Sequence, residues 1–316
     1  MNQLFRLLVI LRKGYKLLFK NNDIFSDSKI ITDYDKVSLS IYNSLLTERP
    51  VMIARLGAFE LSSATNYYGI YKCKHSVLGF ITGKTPQWWW NEKTLSSLNT
   101  NAGVFPLDKE LVSRFCQATI DSMPFVDILA SWQANERFFK KELEGSQKVI
   151  LPGLEPFWAS QPWSRALKGK KVVVVHPFAE TISAQYTRRA FLFKNNEILP
   201  DFDLRVVRAV QSINGVCTDY NNWFEALNAM EVEIFSEDFD ICLLGCGAYG
   251  FVLAANIKKR GKKAFHMGGS LQLMFGIKGH RWDNRDHSRF YNEYWVRPNE
   301  NEIPANAVNI EGGCYW

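Results

Sequence analysis

The stretch from Phe239 to Gly269 constrains this chain more than any other. Phe239-Asp240-Ile241-Cys242-Leu243-Leu244 is a short, mostly apolar run, suited to a strand buried on both faces of a parallel sheet. It ends in Gly245-Cys246-Gly247-Ala248-Tyr249-Gly250, a G-x-G-x-x-G. Phe251 to Arg260 carries helix-forming residues, with Phe251, Leu253, Ala254 and Ile257 roughly on one face. Gly261 offers a stop, and Lys258, Lys259 and Arg260 suit the negative end of the helix dipole. Lys263 to Met267 reads as the next strand. The whole is one β-α-β unit, whose glycines let backbone approach a ligand and leave helix N–H groups facing an anion.

A dinucleotide site asks for more: an acidic residue about 20 residues on, to hold a ribose. That neighbourhood is His266, Met267, Gly268, Gly269 and Ser270, with no Asp or Glu. The sequence therefore predicts a diphosphate-bearing ligand rather than NAD. The competing account is that the glycines only permit tight strand-to-helix packing.

Two further strands end in polar residues where a core needs none. Val51 to Ala54 runs into Arg55-Leu56-Gly57-Ala58-Phe59-Glu60, with a helix expected from Leu61. Arg55 suits a phosphate clamp, and Glu60 a metal ligand or base; a mutual salt bridge is the bland alternative. Lys170 to Val175, rich in valine, ends at His176, with Glu180 just beyond it. Glu180 is a candidate base or metal ligand, and His176 a donor to a phosphate or leaving group. After His266, Gly268 and Gly269 precede a short apolar helix containing Gln272, and then Lys278, His280 and Arg281. That order suits an anion pocket. Tyr249 and Gln272 join the candidate substrate contacts.

Further helices are expected at Tyr34–Leu46, from Leu107 or Asp108 to Met123, at Phe138–Gly145 and at Asn221–Ser236. Strands are expected within Phe125–Trp132, Lys148–Leu151 and Leu204–Val210. The alternation predicts an α/β fold with a mostly parallel, Rossmann-like sheet flanked by helices. Tyr67 to Trp90 has little pattern. Its Trp88-Trp89-Trp90 reads as a packed loop before a sugar platform or a membrane anchor. The aromatic tail ending at Trp316 is expected to dock on the body.

Residues 1–35 form a first region, a basic amphipathic helix over 1–20 and a polar connector. Residues 36–316 form the α/β domain, with a possible division into sub-lobes near 150–170. The first helix either packs on the body or lies on an inner-membrane surface. No apolar run of about 18 residues is present, so no spanning helix is expected. The net charge of +6 is scattered, which points to anionic small substrates or an anionic membrane surface and away from nucleic acid. Six cysteines without a C-x-x-C suit reduced thiols in a cytoplasmic protein, peripheral on the inner membrane if the first helix binds there.

The combination of Val51–Glu60 with Asp240–Gly269 resembles the GT-D fold glycosyltransferases of bacterial surface-glycan synthesis, whose early strand is followed by R-x-G-D-x-E. The segments PWSRALKGKKVVVVHPF, FDICLLGCGAYG and GGSLQLMFGIKGHRW resemble a group of proteins associated with capsule and O-antigen clusters. The resemblance implies a GT-D-like fold, a nucleotide-sugar donor of the UDP type, a glycan or lipid-linked acceptor, and a divalent metal, Mn or Mg. It maps the family's Arg to Arg55, its Gly to Gly57 and its Glu to Glu60. The first acid of the motif falls on Ala58, so one metal-binding carboxylate is missing. Either Glu60 suffices, Glu180 substitutes, or a cation such as Lys278 or Arg281 neutralises the departing diphosphate. The donor diphosphate is expected near Gly245, Gly247, Gly250, Gly268 and Gly269. Two alternatives stand beside glycosyl transfer: another α/β enzyme acting on a nucleotide-linked substrate, NAD-dependent types included, and a non-catalytic nucleotide-sugar-binding partner in glycan assembly.

Overall fold

The computed structural model describes residues 3–19, 29–212, 219–305, 307–309 and 312–316. Residues 20–28 of the expected N-terminal helix and connector, Cys217 and part of the tail lie outside that set. The helices in order are α1 (Gln3–Phe19), α2 (Tyr34–Leu46), α3 (Ala58–Tyr71), α4 (Val77–Ile81), α5 (Glu92–Ala102), α6 (Lys109–Ser122), α7 (Ala179–Tyr186), α8 (Arg189–Leu192), α9 (Trp223–Ile234), α10 (Tyr249–Lys259) and α11 (Leu271–Met274). The strands are β1 (Val51–Arg55), β2 (Ile128–Ala130), β3 (Gln147–Val149), β4 (Lys171–His176), β5 (Asp203–Arg208), β6 (Ile241–Leu244) and β7 (Lys263–His266).

These strands form one seven-stranded sheet in the order β3-β2-β1-β7-β6-β4-β5, with every pair parallel. It takes strands from both sides of residues 150–170. Alternate side chains of a strand point to opposite faces, and the packing follows that rule. Met52, Ala54, Val173, Val175, Cys242 and Leu244 face one core with α3, α5, α6, α9 and α10. Val51, Ile53, Val172, Val174, Ile241 and Leu243 face the other, with α2, α7 and α11. Burial on both faces explains why β4 and β6 are continuous apolar runs.

Local rules account for several helix boundaries. Asp33 caps α2, Asn91 caps α5 and Asp108 caps α6, each accepting from backbone N–H groups of the first turn. Gly103, left-handed at φ 73°, ends α5. The expected helix over Phe138–Gly145 is not formed. A 3₁₀ segment, Ala134–Phe139, stands there instead and is followed by turns. The cause is Glu136, which turns inward and accepts from the backbone of Trp132 and Gln133 and from the Ser131 hydroxyl, tying the segment to the end of β2.

Candidate functional site

The site follows from which face each connection takes. In sheet order, β1 feeds α3 on the first face and β7 feeds α11 on the second, while β6 feeds α10 on the first face and β4 feeds α7 on the second. Neighbouring chains thus part company at the carboxyl ends of four adjacent strands. In open parallel sheets that divergence opens a ligand crevice.

Two adjoining cavities occupy it. The one over β4 and β6, about 130 Å³, is bordered by His176, Phe178, Gly245, Gly247 and Gln272. The one over β1 and β7, about 120 Å³, is bordered by Arg55, Glu60, Trp132, His266, Gly268 and Arg281. Asn101, Ala102, Gly247, Gly269 and Tyr315 border both.

Arg55 leaves the end of β1 half-buried. Its Nη2 donates to the Leu56 carbonyl at 3.2 Å, and its guanidinium carbon lies 5.1 Å from the centre of a Trp132 ring. Its Nε is buried and has no partner. Glu60 lies in the first turn of α3, where the helix dipole favours a carboxylate. Its side chain folds back so closely that a Cβ added at Gly57 would meet Oε2 at 1.9 Å, so a larger residue there would push the carboxylate aside. Among the described residues lining the two cavities, Glu60 has the one side-chain carboxylate.

The two histidines at the strand ends are neutral. Burial pushes His176 down to about 3. Its Nδ1 accepts from the Phe178 N–H at 3.0 Å, which assigns the ring proton to Nε2. Burial, with help from the Arg55 charge, pushes His266 down to about 3 as well. Its Nδ1 donates to the Leu244 carbonyl at 3.3 Å, leaving Nε2 as an acceptor. Cys246 also borders the crevice, but burial pushes its thiol up to about 12, which keeps it inert.

The three glycines of the G-x-G-x-x-G have separate jobs. A Cβ at Gly245 would stand 2.5 Å from His176 Cδ2, and one at Gly250 would stand 2.2 Å from His266 Nδ1. Those two permit close packing. Gly247, at φ 57°, has nothing within 4 Å of a would-be Cβ and borders both cavities, which leaves it open to a ligand. No side chain caps the start of α10 behind it.

Other sequence candidates lie elsewhere or serve the scaffold. Glu180 borders neither cavity; its half-exposed carboxylate faces Arg208 at 3.5 Å and accepts from Asn301 at 2.8 Å. The anion-binding start of α7 is already occupied by Glu302. That buried carboxylate accepts from the N–H groups of Glu180 and Thr181 and from the Thr181 hydroxyl. Lys278 also borders neither cavity, and its ammonium lies 5.4 Å from the centre of the Tyr291 ring. Tyr249 stacks on Trp223 and shares a hydrogen bond with Ser212, so it forms wall rather than a ready contact.

Gln272 holds the docked tail. Its Nε2 donates to the carbonyls of Lys278 and Tyr315 at 3.1 and 3.0 Å, while its Oε1 is buried without a partner. The tail itself was not foreseen as part of the site. The Tyr315 ring packs over Gly269 and contacts the Arg281 guanidinium, and Trp316 borders the first cavity. Asn101, Ala102 and Trp132 were missed too, because each comes from a segment whose own pattern shows nothing but a helix end or a loop.

Among the described residues, no three His, Cys, Asp or Glu side chains cluster closely enough to hold a metal ion. With Ala58 beside Glu60, the described residues do not make a cage for a resident ion.

No protein-family model matches the chain. No curated protein matches it either. A solved structure described as "Selenomethionine substituted structure of domain of unknown function 1792 (DUF1792)" aligns over 93% of this chain and 96% of that one, at 12% identity and a TM-score of 0.36. A likeness this distant carries no argument about activity.

Proposed function

We propose that this protein is a glycosyltransferase, taking a sugar from a nucleoside diphosphate donor of the UDP type and passing it to a hydroxyl of a surface-glycan or lipid-linked acceptor. The observation that carries this reading is Arg55. A buried N–H without a partner costs about 1–3 kcal/mol, and Arg55 Nε is one, set in a crevice beside the uncapped starts of α3 and α10. A diphosphate would supply the missing acceptors and the opposite charge. The absence of an acid at the end of β7 speaks against a ribose-gripping NAD site. The resemblance of Val51–Glu60 with Asp240–Gly269 to GT-D glycosyltransferases, and of Gly268–Trp282 to proteins associated with capsule and O-antigen clusters, favours glycosyl transfer over other nucleotide-sugar chemistry.

In this reading the diphosphate lies along Gly247, Arg55 and Arg281, and the nucleoside enters the first cavity. There His176 Nε2–H and Gln272 Oε1 offer one donor and one acceptor, the pair a uracil edge needs. The bond from the sugar's anomeric carbon to the β-phosphate oxygen breaks, and its electron pair stays on the phosphate. The acceptor oxygen forms the new bond to that carbon, and its proton passes to Glu60. Fixed positive charge at the departing diphosphate is the largest contribution.

The test is UDP release from a panel of UDP-sugars with saccharide and lipid-linked acceptors. Glu60→Gln is expected to lower turnover about 100-fold or more while keeping donor binding, and Arg55→Ala to lose both. Undiminished turnover in both variants would overturn the assignment.

A further inference from the structure

The first helix carries an apolar face that the described residues leave exposed. α1 docks on α4 and the tryptophan run through Phe5, Leu8, Val9 and Arg12. The Phe5 ring stacks on Trp89 with centroids 4.2 Å apart, and Arg12 lies over Phe80 at 4.7 Å. Trp88–Trp89 is therefore the seat of this helix rather than a sugar platform. At about 100° per residue, the docked residues fall on one side of α1. Leu17, Ile10, Leu7, Leu18, Leu11 and Leu4 then fill an arc of roughly 140° on the other. Leu7 is 53% exposed, Ile10 64%, and Leu17 and Leu18 81% each. Exposure on that scale, contiguous along four turns, marks an interaction surface.

The charges bordering the arc say what occupies it. Arg6 and Lys13 lie along its edge, both exposed. α1 contains no acidic residue, and neither does the segment from Leu61 to Asn91 that includes α4 and its seat. That segment adds exposed Lys72, Lys74 and Lys84, together with exposed Val77 and Leu78 on α4. A second copy of the chain packed through α1 would bring cations against cations with no acid to pair them. Hydrocarbon flanked by cations fits the boundary between the acyl chains and anionic headgroups of a bilayer. No helix among the described residues is long and apolar enough to cross a membrane.

We infer that α1 is an interfacial anchor that lies flat on an anionic lipid bilayer through Leu4, Leu7, Ile10, Leu11, Leu17 and Leu18. The surface is separate from the crevice, so the inference stands or falls independently of glycosyl transfer.

The test is co-sedimentation of the full chain with vesicles of phosphatidylglycerol and phosphatidylcholine in equal parts, against vesicles of phosphatidylcholine alone, at low and high salt. Pelleting with the anionic vesicles is expected, weakened by salt and by omission of the anionic lipid. Leu7→Ser with Leu11→Ser should weaken binding about tenfold or more, and Arg6→Ala and Lys13→Ala about fivefold each. Circular dichroism and the thermal response to UDP should stay unchanged in all of them, since these side chains face outward. Failure of the wild-type chain to pellet with anionic vesicles would overturn the inference, as would equal pelleting of the double leucine variant. So would a dimer in light scattering that the leucine pair dissolves while vesicles are ignored.

Discussion

Arg55 and Gly268 meet at the carboxyl ends of the paired strands β1 and β7: a Cβ added at Gly268 would stand 2.8 Å from Arg55 Nη1. Gly268 also holds φ at 68°, a conformation side chains resist. The corner after β7 is therefore the wall on which the guanidinium rests. Gly268→Ala is expected to cost about 1–2 kcal/mol through backbone strain and to displace Arg55. Urea denaturation with and without UDP checks both effects. The stabilisation by UDP should shrink as well as the baseline.

The second and third glycines of the β6–α10 corner should respond differently to alanine. Gly247→Ala meets no atom within 4 Å, so its cost is the left-handed φ alone, about 1 kcal/mol. At Gly250, inside the first turn of α10, alanine normally stabilises a helix by up to about 1 kcal/mol. Here the new methyl would collide with the His266 ring, so a loss of about 2–3 kcal/mol is expected instead. Chemical denaturation of the two variants side by side measures the contrast.

Acid should destabilise the protein before its carboxylates titrate. His176 and His266 both fall to about 3 in the folded state, against 6.5 for the unperturbed side chain. Between those values the unfolded chain binds more protons than the folded one, so stability rises with pH. The contribution is complete above about pH 6.5 and is lost as pH falls toward 3, with a slope of up to about 1.4 kcal/mol per pH unit for each histidine. Urea midpoints from pH 7.5 down to pH 5 test this. His176→Gln should flatten the profile by about one proton.

Glu302 should matter to stability out of proportion to its place in an irregular segment. Glu302→Ala leaves the N–H groups of Glu180 and Thr181 at the start of α7 without an acceptor. A loss of about 2 kcal/mol is expected, and sulfate or phosphate should restore part of it by filling the vacated helix start. The thermal midpoint with and without sulfate reads this out.

The strands that organise the sheet were legible because burial on both faces demands continuous apolar runs, as in Val172–Val175 and Ile241–Leu244. Helix α5 was not, since its sequence EKTLSSLNTNA has few apolar residues, although Asn91 before it and Gly103 after it are capping signals. The corners at Arg55, His176, Gly245 and Gly268 were each visible, because polar or small residues at a strand end have no use in a core. Which carboxylate shares the crevice was not visible. Glu60 and Glu180 both follow a strand closely, and only the alternation of faces sends Glu60 inward while Arg208 and Asn301 hold Glu180 aside. Tyr315 and Trp316 were expected to dock, but the position of Tyr315 over Gly269 depends on the Gln272 amide, which no local pattern announces.

In the proposed function the crevice grips a diphosphate through Arg55. Thermal unfolding with UDP, UMP and NAD, on the wild type and on Arg55→Ala, addresses it most directly. UDP is expected to raise the wild-type midpoint by several degrees, UMP and NAD far less, and Arg55→Ala to lose the response to UDP while staying folded. A wild-type midpoint indifferent to UDP, or an equal shift in Arg55→Ala, would contradict it.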